Sequence, residues 1–146
     1  MATNIQGLWS LVSMKQQYDD GRVVFPFGED AQGRIYYGED GHMFVSIQKS
    51  GRTPFKTGKQ WTASNEEKAG AYNDYLTYYG QYEVAGDLVT HAIEISLFPD
   101  WIGGRQKRKI DFDGELLQLS ARLEDGTPEA RSALMIWKSL SGNKGE

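Results

Sequence analysis

The chain has no cysteine, and that one absence removes a disulfide framework, a thiolate zinc site and a cysteine nucleophile together. Histidine is almost as scarce. His42 and His91 are the two present, with no His-x-x-x-His pair and no carboxylate-rich loop, so metal ligands at useful spacing are lacking and no metal is expected. No glycine-rich loop follows a strand and opens a helix, which argues against the usual nucleotide cofactors, and none is predicted. The serines have no nucleophile-elbow context, so covalent hydrolysis by a Ser-His-acid triad has no support. No apolar run approaches the roughly 20 residues that span a bilayer. Met1 to Gln6 lacks the basic and apolar regions of a signal peptide. These readings give the expectation of a soluble, cytoplasmic protein with no membrane partner. The net charge is −4, and the one dense basic run is Arg105, Lys107, Arg108 and Lys109, so no nucleic-acid partner is expected.

What is present fits one domain spanning residues 1–146, with 39% hydrophobic residues and a core large enough to fold without staples. Leu8 to Tyr18 alternates loosely and ends on the turn residues Asp19-Asp20-Gly21, a first strand. Arg22 to Val24 pairs briefly. Phe25-Pro26-Phe27-Gly28 follows, where proline excludes a central strand and Phe27 would help close one end of a cavity. Gly33 to Tyr37 and His42 to Gln48 flank Gly38-Glu39-Asp40-Gly41 as a hairpin, with Met43, Val45 and Ile47 on one face and Phe44 spoiling the alternation. Lys49 to Ala63 reads as a long loop of the kind that forms lids. Ser64 and Glu67 have capping-box spacing and predict one short helix to about Leu76, lying over a barrel mouth. Strands over Tyr78 to Ala85, Leu88 to Phe98, Arg105 to Phe112, Leu116 to Leu123 and Arg131 to Leu140 complete eight main strands. Short connections and this number predict an all-β, up-and-down antiparallel barrel with the helix before the fourth main strand.

An eight-stranded barrel is just wide enough to hold one small ligand, so strand parity decides which residues matter. From Arg105 to Phe112 the odd positions are charged and must face water, which sends Gln106 and Arg108 inward with Ile110 and Phe112. Arg108 divides evenly between a ligand-facing cation and a structural pair or rim residue. On Leu88 to Phe98 the more apolar face carries Val89, His91, Ile93, Ile95 and Leu97. A two-residue turn puts Tyr78, Gly80 and Tyr82 on the same side as His91 across the hairpin. The plain alternative is a core histidine bonded to a tyrosine hydroxyl. Glu94 cannot share the cavity with His91 on an uninterrupted strand, although a β-bulge between them would allow it. Trp101, between Pro99 and Gly103-Gly104, sits at a barrel end as a ligand cover or a hydrophobic plug.

Gly7-Leu8-Trp9 resembles the Gly-x-Trp opening of lipocalins, in which the tryptophan closes the barrel floor. A longer ordered set consists of Phe25-Pro26-Phe27-Gly28, Tyr79-Gly80, Tyr82-Glu83-Val84, Gly86-Asp87, Val89-Thr90-His91, Glu94, Ser96 and Pro99-Asp100-Trp101-Ile102-Gly103. Together these resemble the lipocalin-like domain family of bacteria and fungi. That resemblance implies a barrel with a small-molecule cavity and says little about chemistry, because such barrels host both carriers and enzymes. The helix precedes the fourth main strand instead of following the last, which sets the chain apart from secreted lipocalins.

The expected partner is therefore a small, partly apolar, oxygenated molecule held by Tyr78, Tyr82, His91, Trp101, Gln106, Arg108 and Phe27. The competing reading is a cofactor-free isomerase, cyclase or hydratase with His91 as acid–base group near neutral pH and Glu94 as its second candidate. A protein-interaction barrel with a filled interior ranks third. Binding comes first because nothing in the sequence demands turnover. Nothing in it bears on the oligomeric state.

Overall fold

The computed structural model describes residues 4–141. Strand β1 (Gly7–Tyr18) carries a two-residue annex, β2 (Val23–Val24), on one edge. It then pairs with β3 (Gln32–Tyr37), which pairs with β4 (His42–Gln48). After helix α1 (Asn65–Asn73) come β5 (Tyr75–Ala85), β6 (Leu88–Ser96), a 3₁₀ turn at Pro99–Trp101, β7 (Arg105–Phe112), β8 (Leu116–Leu123) and β9 (Arg131–Ser139). Every neighbour pair is antiparallel, and β9 returns to β1, so eight strands close into an up-and-down barrel with the helix before the fourth of them. Closure leaves β2 as the one short edge in the sheet order, which suits a fold whose exposed strand edges would otherwise invite association.

One end of the barrel is plugged. Trp9 and Trp137 are buried there with Ile5, Leu117 and Leu119, and Phe112 packs edge-on against Trp9 at 5.9 Å. The Trp9 indole N–H donates to the Ile5 carbonyl at 2.9 Å, which satisfies its one polar atom inside an apolar floor. The two ends of the described chain meet at this floor, where the Leu140 amide donates to the Leu8 carbonyl at 2.8 Å. Gly7 has φ +118°, a conformation that residues with a Cβ rarely adopt, so glycine is favoured there.

Two bulges alter the parity of the walls. In β1 the register shifts between Leu11 and Ser13, leaving Val12 as an extra, exposed residue. Trp9 and Leu11 point in before it. Met14, opposite Met135, points in after it. The second bulge lies between β5 and β6, where Tyr79 opposes Ile95 but Gly80 opposes Ile93. Glu94 is the unpaired residue. A Cβ on Gly80 would fall 2.0 Å from the Ala92 carbonyl oxygen, so this bulge is possible only because residue 80 has no side chain.

Helix α1 is shorter than its sequence pattern implied, and none of its residues lines the cavity. Asp74 caps it, and Tyr75 and Leu76 already belong to β5, paired with Gln48 and Ile47. No residue of α1 is buried. Only half of the capping box forms: the Ser64 hydroxyl accepts from the Glu67 amide at 3.2 Å. The Glu67 carboxylate turns instead to the Lys56 and Thr57 amides, each at 3.0 Å at closest, and so ties the long 49–64 loop to the helix. Phe44, which broke the alternation of β4, is exposed and stacks on its cross-strand partner Tyr36 at 5.5 Å on the outer face.

Candidate functional site

A cavity of about 560 Å³ occupies the barrel at the end opposite the tryptophan floor. Its apolar lining includes Met14, Ile35, Val45, Leu76 and Met135, with the paired alanines Ala121 and Ala133 keeping one wall low. Its polar lining includes Tyr78, His91, Gln106 and Arg108, with Lys15, Gln16, Arg105, Lys107 and Arg122 also reaching it, and Trp101 caps it from the 3₁₀ turn. The Trp101 ring meets Tyr78 edge-on at 5.9 Å and Phe98 at 5.2 Å, so the cap is held by aromatic packing.

The wall is not sealed everywhere. Towards the mouth the β7–β8 ladder stops at the Lys109–Ser120 pair, while β7 continues back to Arg105 against β6 and β8 continues to Leu123 against β9. Residues 105–108 and 121–123 thus face each other without pairing, and the cavity extends to both. The parity of β7 explains its chemistry: Arg105, Lys107 and Lys109 are exposed, whereas Gln106 and Arg108 are half-buried and turned inward above buried Ile110.

Arg108 is poorly compensated. Its guanidinium donates to the Gln106 side-chain oxygen at 2.7 Å and the Lys107 carbonyl at 3.0 Å, while its buried Nε–H has no partner among the described residues. The ion pairs among those residues involve Arg22, Arg122 and Arg131, and none reaches Arg108. A cation with a free buried donor beside an apolar cavity is an unusual expense in a natural core.

His91 is 1% exposed and held on both sides. Tyr37 Oη lies 2.6 Å from its Nε2, and Tyr78 Oη lies 2.7 Å from its Nδ1. Burial pulls the imidazole down from its ordinary 6.5 to about 3, and the Arg108 charge acts in the same sense. The Tyr78 phenol is pushed up to about 12 by burial, with Arg108 opposing, and Tyr37 is raised well above its ordinary value by burial first and by Tyr78, with Arg108 again opposing. All three rings are therefore uncharged at neutral pH, and the expected acid–base titration of His91 near neutrality does not survive its surroundings.

Three other expected site residues lie elsewhere. Glu94 is exposed and accepts from Gln81 Nε2 at 2.9 Å on the outer surface, because the bulge falls at Glu94 itself and not between it and His91. The same bulge leaves Ile95 66% exposed, so the apolar face of β6 ends at Ile93. Tyr82 sits opposite His91 in register, but its ring packs edge-on against Tyr37 at 4.7 Å and its hydroxyl donates to the Gly38 carbonyl at 2.7 Å. It braces Tyr37 and does not line the cavity. Phe27 is buried in the main core and likewise stays out of the lining. Tyr37 was missed from the sequence. Its register partner Met43, on the inward face of β4, was the available signal.

The lipocalin-like domain family matches residues 6–140, nearly the whole described chain. The chain belongs to that family. This lipocalin-like barrel is also 32% identical over 87 residues to the 4'-hydroxy-3'-methoxypropiophenone carrier protein ppsC of Aspergillus oryzae, covering 53% of this chain and 78% of that protein. No solved structure matches the chain. The family and the relative both point to the binding of a small molecule. No helix among the described residues is long and apolar enough to cross a membrane.

Proposed function

We propose that this lipocalin-like barrel binds one small, largely apolar, oxygenated aromatic molecule in its cavity and releases it unchanged. The observation that carries the reading is Arg108, an inward cation with a free buried N–H beside a cavity of about 560 Å³. A ligand oxygen would answer that donor, while Met14, Leu76, Met135 and Trp101 would take its apolar body. The aryl ketone for which the ppsC carrier is named has both parts. Turnover is not favoured, because the one group suited by type to move a proton at neutral pH is locked between two tyrosines and held neutral. The unpaired stretch between β7 and β8 supplies a side route to the cavity without unfolding the floor.

Titrating the protein with 4'-hydroxy-3'-methoxypropiophenone while following tryptophan emission tests this reading. The expected result is a saturable, one-to-one change that is much reduced in Trp101→Phe, with thermal stabilisation equivalent to about 2.7 kcal/mol at a hundredfold excess over Kd. Absence of both effects across a panel of aryl ketones and phenols would sink it.

A further inference from the structure

The Tyr37–His91–Tyr78 chain has a direction, and burial sets it. Tyr37 is 0% exposed, and among the described residues its hydroxyl has one hydrogen-bond partner, His91 Nε2 at 2.6 Å. A neutral imidazole carries one proton, so one ring nitrogen accepts and the other donates. If Nε2 held the proton, the Tyr37 oxygen would accept it and the Tyr37 O–H would be left unpaired in the core. Donation from Tyr37 to Nε2 avoids that cost and puts the ring proton on Nδ1. Nδ1–H then donates to Tyr78 Oη at 2.7 Å.

The Tyr78 O–H is the one hydrogen this order leaves over. Its oxygen has no partner besides His91 among the described residues, and its ring lines the cavity beneath Trp101. We infer that Tyr78 presents its hydroxyl hydrogen to the ligand as a fixed donor and, with the free Nε–H of Arg108, selects an acceptor oxygen of the carbonyl type. This rests on the cavity-binding reading above and adds which atom of the ligand is recognised. Chains of hydrogen bonds polarise one another, so a hydroxyl already accepting from Nδ1–H is a better donor than an isolated one. Arg108 works in the same direction, since its charge makes the Tyr78 phenol a stronger acid and so a stronger donor. An aromatic ketone, with its flat apolar body and one strong acceptor, is the ligand class that this pair of donors fits.

Two measurements test the inference. Long-range ¹H–¹⁵N spectra of the ligand-free protein read the His91 tautomer, and the proton is expected on Nδ1 with Nε2 bare. A proton on Nε2 would overturn the donor order. Affinities for propiophenone and propylbenzene, identical but for the carbonyl, are expected to differ at least tenfold in favour of the ketone. That ratio should fall severalfold in Tyr78→Phe, which leaves the Arg108 donor in place, with propylbenzene affinity little changed. Equal affinities in the wild-type protein, or an undiminished ratio in Tyr78→Phe, would overturn the recognition step while leaving cavity binding intact. Failure of both compounds to bind would remove the cavity reading itself, and the donor pair with it.

Discussion

Acidification from pH 7 to 4.5 will cost this protein about 3 kcal/mol of folding stability through His91 alone. The folded imidazole is held at about 3, against an ordinary value of 6.5, by burial first and the Arg108 charge second. Above 6.5 both folded and unfolded chains carry a neutral ring, and the group contributes nothing. As pH falls below 6.5 the unfolded chain takes up a proton that the folded one refuses, so stability is lost progressively down to about pH 3. Two pH units of differential protonation amount to roughly 3 kcal/mol. Asp19, Asp20, Glu67 and Asp113 are shifted down from ordinary carboxylate values by hydrogen bonds, so their losses belong to more acid solution and leave the window from 6.5 to 4.5 to histidine. Urea melts at pH 7 and 4.5 measure the difference, and in His91→Gln most of it will be gone. An unchanged pH dependence in that variant would show that His91 is not the group responsible.

Replacing Arg108 by methionine will separate stability from binding. Methionine keeps the length and apolar stem while removing the charge and the unpaired buried Nε–H, at the loss of bonds to Gln106 and the Lys107 carbonyl. Relief of the unsatisfied donor, which costs about 1–3 kcal/mol, and of the burial of the charge itself offsets the two bonds lost, so the folded state is expected to stay within about 1 kcal/mol of its present stability in either direction. A hydrogen bond to a charged group contributes about 1.5–3 kcal/mol, so affinity for 4'-hydroxy-3'-methoxypropiophenone will drop roughly 10- to 100-fold. Denaturant melts and binding titrations on the same variant read the two effects. A clear loss of stability with unaltered affinity would make Arg108 a structural residue.

The inward placement of Gln106 and Arg108 was legible because every odd position from Arg105 to Asp111 is charged and no bulge intervenes. The barrel itself was legible for a similar reason: eight runs joined by short turns leave few topologies. Glu94 and Ile95 defeated the same logic, since one extra residue opposite Gly80 reverses the face of everything beyond it. A glycine inside a strand was the hint that such a bulge was near. The His91 partners show another limit. Tyr78 followed from simple alternation across one hairpin, but Tyr37 approaches from a strand that pairs with neither β5 nor β6. Contacts across the interior of a barrel are set by closure, curvature and tilt, and pairwise register does not reveal them. The helix was overextended because Tyr72 and Leu76 fall at helical spacing, whereas pairing of Tyr75 and Leu76 with β4 wins over another turn of an unburied helix.

The most direct test of the central claim is native mass spectrometry of the protein after incubation with 4'-hydroxy-3'-methoxypropiophenone, followed by analysis of what is released on denaturation. One molecule held per chain and recovered with its mass unaltered is the predicted result. A protein that holds none, or that returns the compound with a changed mass, would contradict it.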